Sequence, residues 1–288
     1  MLNFFFVSDL HGSTQRYSSL FTKIIEEKPD AVFMGGDILP SGLMNMVTDN
    51  SPDFIQDILI NGFNKVKDLL KNKYPKVFII LGNDDGKSDE ERFKDISKKG
   101  LWEYVHGRKV AFNGYDIYGY SYVPPSPFLL KDWEKYDVSR YVDPGCVAPE
   151  DGSHSKEVDK KKMQFLTIKK DLELLTQGEN LSKAIFLFHS PPYKTNLDRA
   201  ALDGKMIDYV PLDVHIGSIA IQRFIEEKQP LITLHGHVHE SASITAYWSD
   251  RIGDTFCFSA AHHGKELALV KFSPENPASA IRELLIKN

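Results

Sequence analysis

Short apolar runs that end abruptly in polar residues recur along this chain. The first run, residues 4–7, is followed by Asp9, His11 and the turn residue Gly12. Four further runs end in a similar way: residues 31–34, 77–81, 184–188 and 231–234. Apolar runs of this length, bounded by turn residues, predict buried β-strands. We therefore expect five strands whose carboxyl ends carry polar side chains.

Helical periodicity separates the predicted strands. Residues 15–28 carry apolar side chains three and four positions apart, with Ser13 or Thr14 as the N-cap and Pro29 beyond the end. The same spacing predicts further helices at residues 54–74, 90–99, 163–175 and 219–228. Residues 38–51 form a looser segment. The alternation of strands and helices indicates a parallel sheet with crossover helices.

The remaining segments predict less regular structure. A weak strand is expected at residues 101–105, and an Asn-Gly turn predicts a hairpin across residues 110–120. Residues 123–160 contain five prolines and little periodicity. We interpret them as an insertion near the mouth of a site, within a single domain spanning residues 1–288. Antiparallel strands are expected towards the C-terminus: residues 243–248, 255–259, 267–272 and 280–286.

Seven polar side chains follow the ends of the five apolar runs: Asp9, His11, Asp37, Asn83, His189, His237 and His239. Taken singly, each has an ordinary structural explanation as a turn residue, a cap or a buried histidine. Taken together, they would converge on one edge of one sheet if the five runs were neighbouring parallel strands. Burying so many carboxylate and imidazole groups without a counter-charge is costly, and divalent cations remove that cost.

The mixture of donor groups indicates the kind of cation. Imidazole nitrogen together with carboxylate and amide oxygen suits Mn, Fe, Zn, Co or Ni better than Mg or Ca, which prefer oxygen ligands alone. Seven donors exceed what one small cation needs and fit two divalent metal ions. Asp37 comes from the middle of the set and is well placed to bridge them.

Composition narrows the classes of protein and partner. The chain of 288 residues has a net charge of −5, so no overall basic field attracts nucleic acid or an anionic membrane, and neither is expected as a partner. Residues 2–7 are too short for a signal sequence, and no apolar stretch approaches the roughly 20 residues of a membrane span. The two cysteines, Cys146 and Cys257, form neither a disulfide framework nor a zinc pattern. These features predict a cytoplasmic protein.

The chain resembles the binuclear calcineurin-like metallophosphoesterases over residues 4–273. The likeness rests on five motifs in the same order and similar spacing: Asp9-x-His11, Gly36-Asp37, Gly82-Asn83, His189 and Gly236-His237-x-His239. It implies an α/β fold, a four-layer α-β-β-α sandwich of two mixed β-sheets flanked by helices. It also implies the ligands of two metals: Asp9, His11 and His239 for one, Asn83, His189 and His237 for the other, and Asp37 as the bridge. His235 is then expected behind these ligands or in the core.

Two positions depart from the family pattern, and they belong together. The family usually reads Gly-Asn-His, but here Asp84 stands in place of that histidine. The family usually reads Gly-Asp-x-x-Asp, but here Pro40 replaces the second aspartate. In the family, that histidine contacts the phosphate and is oriented by that aspartate. We expect Asp84 to stay anionic beside the cations and to bind water or orient Asn83.

The resemblance implies a binuclear-metal-dependent phosphohydrolase that acts on a small-molecule phosphate ester. The hypothesis is in-line attack on phosphorus by a hydroxide that bridges the metals, which lower the pKa of bound water to about 7. An anionic Asp84 repels a doubly charged monoester more than a singly charged diester, so we favour a phosphodiesterase. Two other hypotheses stay open: a binding scaffold of this fold with weak catalysis, and a nuclease of this fold.

Other polar residues are candidates for substrate contacts. A general acid is missing from the pattern, and three histidines are candidates to replace it: His215, His262 and His263. Each also has a simple explanation as an exposed loop residue. Tyr193 and Arg199 lie in the loop after His189 and are candidates to line the substrate cleft.

Overall fold

Two six-stranded β-sheets form the centre of the structure, a computed structural model that describes residues 1–41 and 53–286. Along the chain the strands are β1 (Phe4–Val7), β2 (Ala31–Gly35), β3 (Lys76–Ile80), β4 (Glu103–Tyr104), β5 (Lys109–Phe112), β6 (Tyr115–Tyr120), β7 (Ala184–Phe188), β8 (Met206–Ile207), β9 (Val210–Pro211), β10 (Ile232–His235), β11 (Ser249–Ile252), β12 (Thr255–Ser259), β13 (Leu267–Phe272) and β14 (Ile281–Leu285). Strands β8 and β9 form a separate small hairpin. The looser segment predicted at residues 38–51 lies outside the described residues from position 42 onwards.

The five strands that are followed by the predicted polar side chains are divided between the two sheets. The first sheet has the order β14-β13-β1-β2-β3-β4, and the second has the order β11-β12-β10-β7-β6-β5. Strands β1 to β4 run parallel in the first sheet, as do β6, β7, β10 and β12 in the second, and antiparallel strands complete each sheet. The prediction that all five share one sheet edge is therefore wrong. The implied sandwich of two mixed sheets flanked by helices is confirmed.

Aromatic side chains fill the space between the sheets. Phe4 and Phe6 are alternate residues of β1, and both belong to this inner core. Phe33 of β2 lies within the same layer. Phe258 on β12 and Phe272 on β13 come from opposite sheets, and their ring centroids are 5.8 Å apart. Because strands of both sheets are apolar on both faces, each sheet needs a second layer on each side. This packing fixes the position of one row of strand ends against the other.

Helices cover the outer faces of the sheets. In chain order they are α1 (Thr14–Glu27), α2 (Asn61–Leu70), α3 (Glu90–Lys98), α4 (Lys160–Met163), α5 (Ile168–Leu175), α6 (Ile219–Lys228) and α7 (Ser241–Thr245). Helix α1 begins after Ser13, whose side chain accepts a hydrogen bond from the N–H of Arg16, as predicted for an N-cap. Phe224 of α6 packs against Phe186 of β7 with ring centroids 5.1 Å apart. Across the described residues, no helix is both long and apolar enough to cross a membrane.

Two predicted helices have a different form in the structure. The helix predicted at residues 54–74 begins with a π-helical turn, Ile55–Ile60, and becomes regular in α2. The helix predicted at residues 163–175 begins later, as α5 at Ile168, and only Met163 of this range belongs to α4. The later start occurs because Thr167 caps α5 by accepting a hydrogen bond from the N–H of Lys170.

The C-terminal part contains two corrections. In place of the strand predicted at residues 243–248, residues 243–245 belong to the helix α7, since hydroxyl groups here bond to a loop instead of a neighbouring strand. Ser241 and Thr245 both donate to the carbonyl of Asn196, at 2.8 and 3.1 Å. In addition, β12 pairs in parallel with β10, whereas we expected only antiparallel pairing in this region. Long-range contacts therefore override the local pattern in both places.

Buried charges organise the proline-rich segment that follows β6. Residues 121–159 are all described, and they form isolated bridges without a named helix or strand. Lys131 and Glu134 form a fully buried ion pair with 2.5 Å between Nζ and Oε2. The carboxylate of Asp132 accepts a hydrogen bond from the backbone N–H of Lys87, in the loop after β3. The segment is therefore tied to one of the loops that carry the predicted site residues.

Candidate metal centre

Loops from both sheets bring the seven predicted side chains into one cluster. The first sheet supplies four of them after β1, β2 and β3: Asp9, His11, Asp37 and Asn83. The second sheet supplies three after β7 and β10: His189, His237 and His239. Backbone contacts join the two sheets at this point, because the N–H of His237 donates to Oδ1 of Asp9 at 3.0 Å. Within the second sheet, the N–H of Gly236 donates to the carbonyl of His189 at 2.9 Å.

The first group of donor atoms belongs to Asp9, His11, Asp37 and His239, and these atoms lie within 4.8 Å of one another. Nε2 of His11 lies 3.0 Å from Nε2 of His239. Nε2 of His239 lies 3.2 Å from Oδ1 of Asp9. Metal–ligand bonds of about 2.0–2.2 Å place neighbouring ligand atoms about 3.0–3.4 Å apart. The spacing of this group therefore fits a metal ion.

The second group of donor atoms is centred on His189. Its Nε2 lies 3.0 Å from Oδ1 of Asn83, and its ring lies edge-on to that of His237 with centroids 5.3 Å apart. The other ring nitrogen, Nδ1, lies 2.8 Å from the carbonyl of Gly35 and donates to it. This hydrogen bond turns Nε2 towards the remaining donors, as backbone carbonyls commonly do behind metal-ligating histidines.

Asp37 lies between the two groups. Its Oδ2 is 3.3 Å from Nε2 of His189 and 3.8 Å from Nε2 of His11. Its Oδ1 accepts a hydrogen bond from the N–H of Asp84 at 2.8 Å. The Asp37 carboxylate therefore lies close to donor atoms of both groups. This arrangement suits two neighbouring cations better than one.

Electrostatics keep the two buried carboxylates ionised. Burial raises the pKa of Asp9, but its hydrogen bond with His239 and the charges of nearby imidazoles outweigh burial and lower the pKa well below its ordinary value. Burial also raises the pKa of Asp37, but the charge and hydrogen bond of His189 bring that pKa down to about 2. Both carboxylates therefore carry the negative charge that attracts cations.

Two of the histidines show the opposite shift, because the same carboxylates favour their protonated forms. Burial lowers the pKa of His189, but the Asp37 carboxylate raises it to about 9. Burial is likewise outweighed at His11, where the hydrogen bond with Asp84 and the charge of Asp37 raise the pKa to about 9. At His237, burial and the charge of His189 lower the pKa to about 3. A cation that binds here must displace protons from His11 and His189.

A glycine lets the loops after β2 and β7 approach each other. Gly36 has a φ of +94°, a backbone conformation that residues other than glycine rarely adopt. A Cβ atom built on it would lie 2.7 Å from Nδ1 of His189. The Gly-Asp motif of the sequence therefore has a steric reason, since any larger residue would push His189 away from Asp37.

Asp84 is placed against a predicted ligand, although not the expected one. Its Oδ2 lies 3.2 Å from Nδ1 of His11, and its Oδ1 accepts a hydrogen bond from the hydroxyl of Ser41 at 3.0 Å. The sequence had suggested an interaction with water or with Asn83. The observed contact leaves Nε2 of His11 facing the donor group and holds a carboxylate at the edge of the cluster.

Two residues that support the cluster were missed in the sequence. Asp85 is fully buried and accepts hydrogen bonds from three backbone N–H groups: Ile38, Leu39 and Gly82. Burial and the nearby Asp37 raise the pKa of Asp85 to about 7. The side chain of Arg16 donates to the carbonyls of Asp9, His262 and Gly264. The repeated aspartate after Asn83 was a possible signal for the first, whereas Arg16 looks like any exposed helix residue.

The other predicted histidines lie in different surroundings. His235 is buried and contacts the carbonyl of Ser190 and the hydroxyl of Thr233, which places it in the core behind the cluster. Nδ1 of His215 lies 2.8 Å from a carboxylate oxygen of Asp198. His262 and His263, by contrast, line a cavity of about 330 Å³ that also borders the predicted ligands His11 and His239.

Tyr193 and Arg199 are both engaged by neighbouring residues. The hydroxyl of Tyr193 donates to Asp213 at 2.6 Å, and the guanidinium of Arg199 contacts Asp203. Neither side chain is among the described residues that line the cavity beside His11. Their predicted contribution to the substrate cleft therefore stays a prediction without support from this geometry.

The sandwich of two mixed sheets and the Asp/His cluster at their carboxyl ends define a class of metal-binding hydrolases with an α/β fold. The chain belongs to the calcineurin-like phosphoesterase family, whose model matches residues 2–241. It is thus a metallophosphoesterase with a candidate metal site. No curated protein matches this chain.

Solved structures share the fold at low sequence identity. One matches with a TM-score of 0.58 and 14% identity, covering 98% of each chain. The protein TT1561 of Thermus thermophilus matches with a TM-score of 0.53 and 12% identity, again over 98% of each chain. A dimetal phosphatase from Danio rerio matches with a TM-score of 0.47 and 12% identity, over 94% of this chain and 91% of its own. The likeness to the first two structures concerns the fold alone and leaves the substrate open.

Proposed function

We propose that this protein is a metal-dependent phosphohydrolase that prefers phosphodiesters to phosphomonoesters. The family and the two adjoining donor groups support metal-dependent hydrolysis of a small phosphate ester. The preference rests on one observation, the carboxylate of Asp84 held 3.2 Å from His11 at the edge of the cluster. No described hydrogen bond or ion pair joins this carboxylate to a lysine or arginine.

The proposed ligands divide as the family resemblance implies: Asp9, His11 and His239 for one cation, Asn83, His189 and His237 for the other, and Asp37 for both. Two such cations, of the Mn, Fe, Zn, Co or Ni kind, would supply an activated water and neutralise phosphate charge. The chain itself supplies orientation. The Gly35 carbonyl aims His189, and Asp84 aims His11. Elemental analysis of purified protein identifies the metals.

The charge of Asp84 is the physical basis of the substrate preference. A monoester carries about one more negative charge than a diester near neutral pH. At a separation of about 6 Å and an effective dielectric constant of about 20–50, each extra charge pair costs roughly 1–3 kcal/mol. That difference is enough to favour the diester by about one order of magnitude. Without a positioned acid, esters with good leaving groups are also favoured.

A substrate panel tests the proposed reaction. Metal-loaded protein is assayed with p-nitrophenyl phosphate, bis(p-nitrophenyl) phosphate and single-stranded DNA. We expect metal-dependent hydrolysis of the diester, and a loss of at least about 100-fold in Asp37→Asn because the shared carboxylate is removed. Absence of metal-dependent turnover on every substrate would favour the scaffold hypothesis, and preferred cleavage of DNA would favour the nuclease.

Replacing the carboxylate tests the preference itself. Asp84→His removes the negative charge and introduces a group that can donate a proton. We expect the ratio of monoesterase to diesterase activity to rise at least about tenfold, measured as kcat/KM for both substrates. Asp95→Ala, a change on the exposed face of α3, serves as the control. A ratio that stays constant or falls in Asp84→His would refute the role given to this charge.

We also propose that the 123–160 insertion borders the substrate cleft of a single domain. Its Asp132 binds the backbone of Lys87, four residues after Asn83, which supports a position beside the donor cluster. A cytoplasmic location is proposed as well. Both Cys146 and Cys257 are free thiols, which suits a reducing compartment.

A further inference from the structure

The cavity beside the donor cluster has an excess of positive charge. It borders His11 and His239, and its outer wall includes the basic residues Arg16 and Lys265. Among the described residues, no carboxylate lines this cavity. Glu266 is the next residue along from Lys265, and it is engaged by Nε2 of His262 at 3.0 Å. A local cationic wall is notable on a chain whose net charge is −5.

The side chains of three polar residues in this wall, Gln15, His263 and Lys265, form no hydrogen bond or ion pair with another described residue. The ring of His263 lies beside that of His262, with centroids 5.4 Å apart. All three are exposed. Their donor groups are therefore available to a ligand without breaking an existing contact. This avoids the desolvation and pairing costs that usually weaken binding.

The loop that carries His263 and Lys265 is firmly attached to the metal centre. The guanidinium of Arg16 donates to the carbonyls of Asp9 and His262, and so links the loop after β1 to the loop after β12. Arg282 on β14 donates to the carbonyl of Ala261 at 2.6 Å. The backbone of this wall is held in place before any ligand binds, as a preorganised site requires.

We propose that this cationic cleft, formed by Gln15, His263 and Lys265 beside His11 and His239, binds a second anionic group of the substrate. The inference rests on the proposed phosphohydrolase function and narrows its substrate to phosphate esters that carry a further phosphate or carboxylate. The cavity volume of about 330 Å³ lies at the small end of the roughly 300–1,000 Å³ typical of ligand pockets. It has room for a charged group and its connecting atoms.

A matched pair of substrates tests this inference. One is the p-nitrophenyl ester of thymidine 5′-phosphate, and the other is the same compound with an additional 3′-phosphate. Wild-type protein should prefer the second in kcat/KM by roughly tenfold, mainly through a lower KM, since charged hydrogen bonds typically contribute that much. His263→Ala/Lys265→Ala should bring the ratio to about one, and Lys265→Glu should invert it. Lys98→Ala, on the exposed face of α3, should keep the wild-type ratio.

A binding measurement separates failure of this inference from failure of the proposed reaction. Calorimetric titration with thymidine 3′,5′-bisphosphate and thymidine 5′-phosphate requires no turnover. Tighter binding of the bisphosphate that is lost in the double variant supports the cleft, even if neither ester is hydrolysed. Equal binding of both nucleotides by the wild type, or an unchanged preference in the double variant, overturns it.

Discussion

Several residues of the candidate site have an unusual backbone conformation. Asp9, His11, Asp37 and His237 have φ values of 57°, 44°, 51° and 73°, in the left-handed region. Such residues cost about 1–3 kcal/mol each when they are not glycine, and they persist only where the surroundings hold them. Here the N–H of His11 donates to the carbonyl of Asp37 at 2.8 Å, so the loops hold each other. The strain aims the side chains at a common point.

Asp84 has a second testable role, because its carboxylate orients the ring of His11. Removing a carboxylate that orients a metal-ligating histidine typically lowers metal affinity about 10–100-fold. We therefore expect Asp84→Ala to bind Mn²⁺ or Zn²⁺ that much more weakly, measured by competition with a chromogenic chelator. Asp95→Ala, which lacks any contact with the cluster, should bind as the wild type does. Equal affinity in both variants would show that the contact with His11 does not matter.

Between elements, the decisive contact joins the ends of β1 and β10. The loop after β10 approaches so closely that a Cβ atom on Gly236 would lie 2.6 Å from Oδ2 of Asp9 and would overlap the hydroxyl of Ser8. The same loop donates the N–H of His237 to the Asp9 carboxylate. Strands from different sheets are therefore joined at the point where the first group of donors assembles.

This contact predicts the effect of adding one methyl group. Gly236→Ala should separate the two loops, lower the free energy of unfolding by about 1–3 kcal/mol through overpacking, and weaken metal binding. Urea unfolding and metal titration measure the two effects. Gly86→Ala is the matched control, since its nearest neighbour would be the flexible hydroxyl of Ser88 at 3.1 Å. If Gly236→Ala bound metal with wild-type affinity, the close contact between the loops after β1 and β10 would not be needed for the site.

Across the whole molecule, the two sheets meet the insertion around His106. A bridge between His106 and Gly119 connects the end of β4 to β6. Nδ1 of His106 accepts a hydrogen bond from the N–H of Ser121 at 3.0 Å, and its ring packs edge-on against Trp133 of the insertion. Burial, together with the charge of Lys87, lowers the pKa of His106 well below its ordinary value. The folded protein therefore favours the neutral imidazole.

A pH-dependent loss of stability follows from this burial. The unfolded chain takes up a proton on His106 as the pH falls below about 6.5, whereas the folded chain resists it, so stability is lost as the pH falls. The loss is at most about 1.4 kcal/mol per pH unit. In excess chelator, His106→Asn should show a shallower fall in unfolding free energy between pH 7 and pH 5. Its amide oxygen can still accept the Ser121 hydrogen bond. The exposed His263→Asn should keep the wild-type slope, and identical slopes in all three proteins would disprove the assignment.

Local pattern was sufficient to predict most elements. The structure has the five strands that precede the polar side chains where the sequence indicated them. The same is true of the hairpin around Asn113 and Gly114 and of helix α6. It failed where long-range contacts decided the outcome. Ser241 and Thr245 form a helix because their hydroxyl groups bind the carbonyl of Asn196, a contact that no local periodicity reveals.

The sequence by itself determined which side chains stand at the strand ends, because a buried apolar run and the polar residue after it are adjacent in the chain. Only the tertiary structure decided that these strands belong to two sheets, that Asp84 contacts His11, and that Arg16 ties a distant loop to the site. The physical reason is that strand pairing and side-chain contacts depend on groups far apart in the chain, for example 248 positions apart in the case of Arg16 and Gly264. Their energies appear only when the chain has folded.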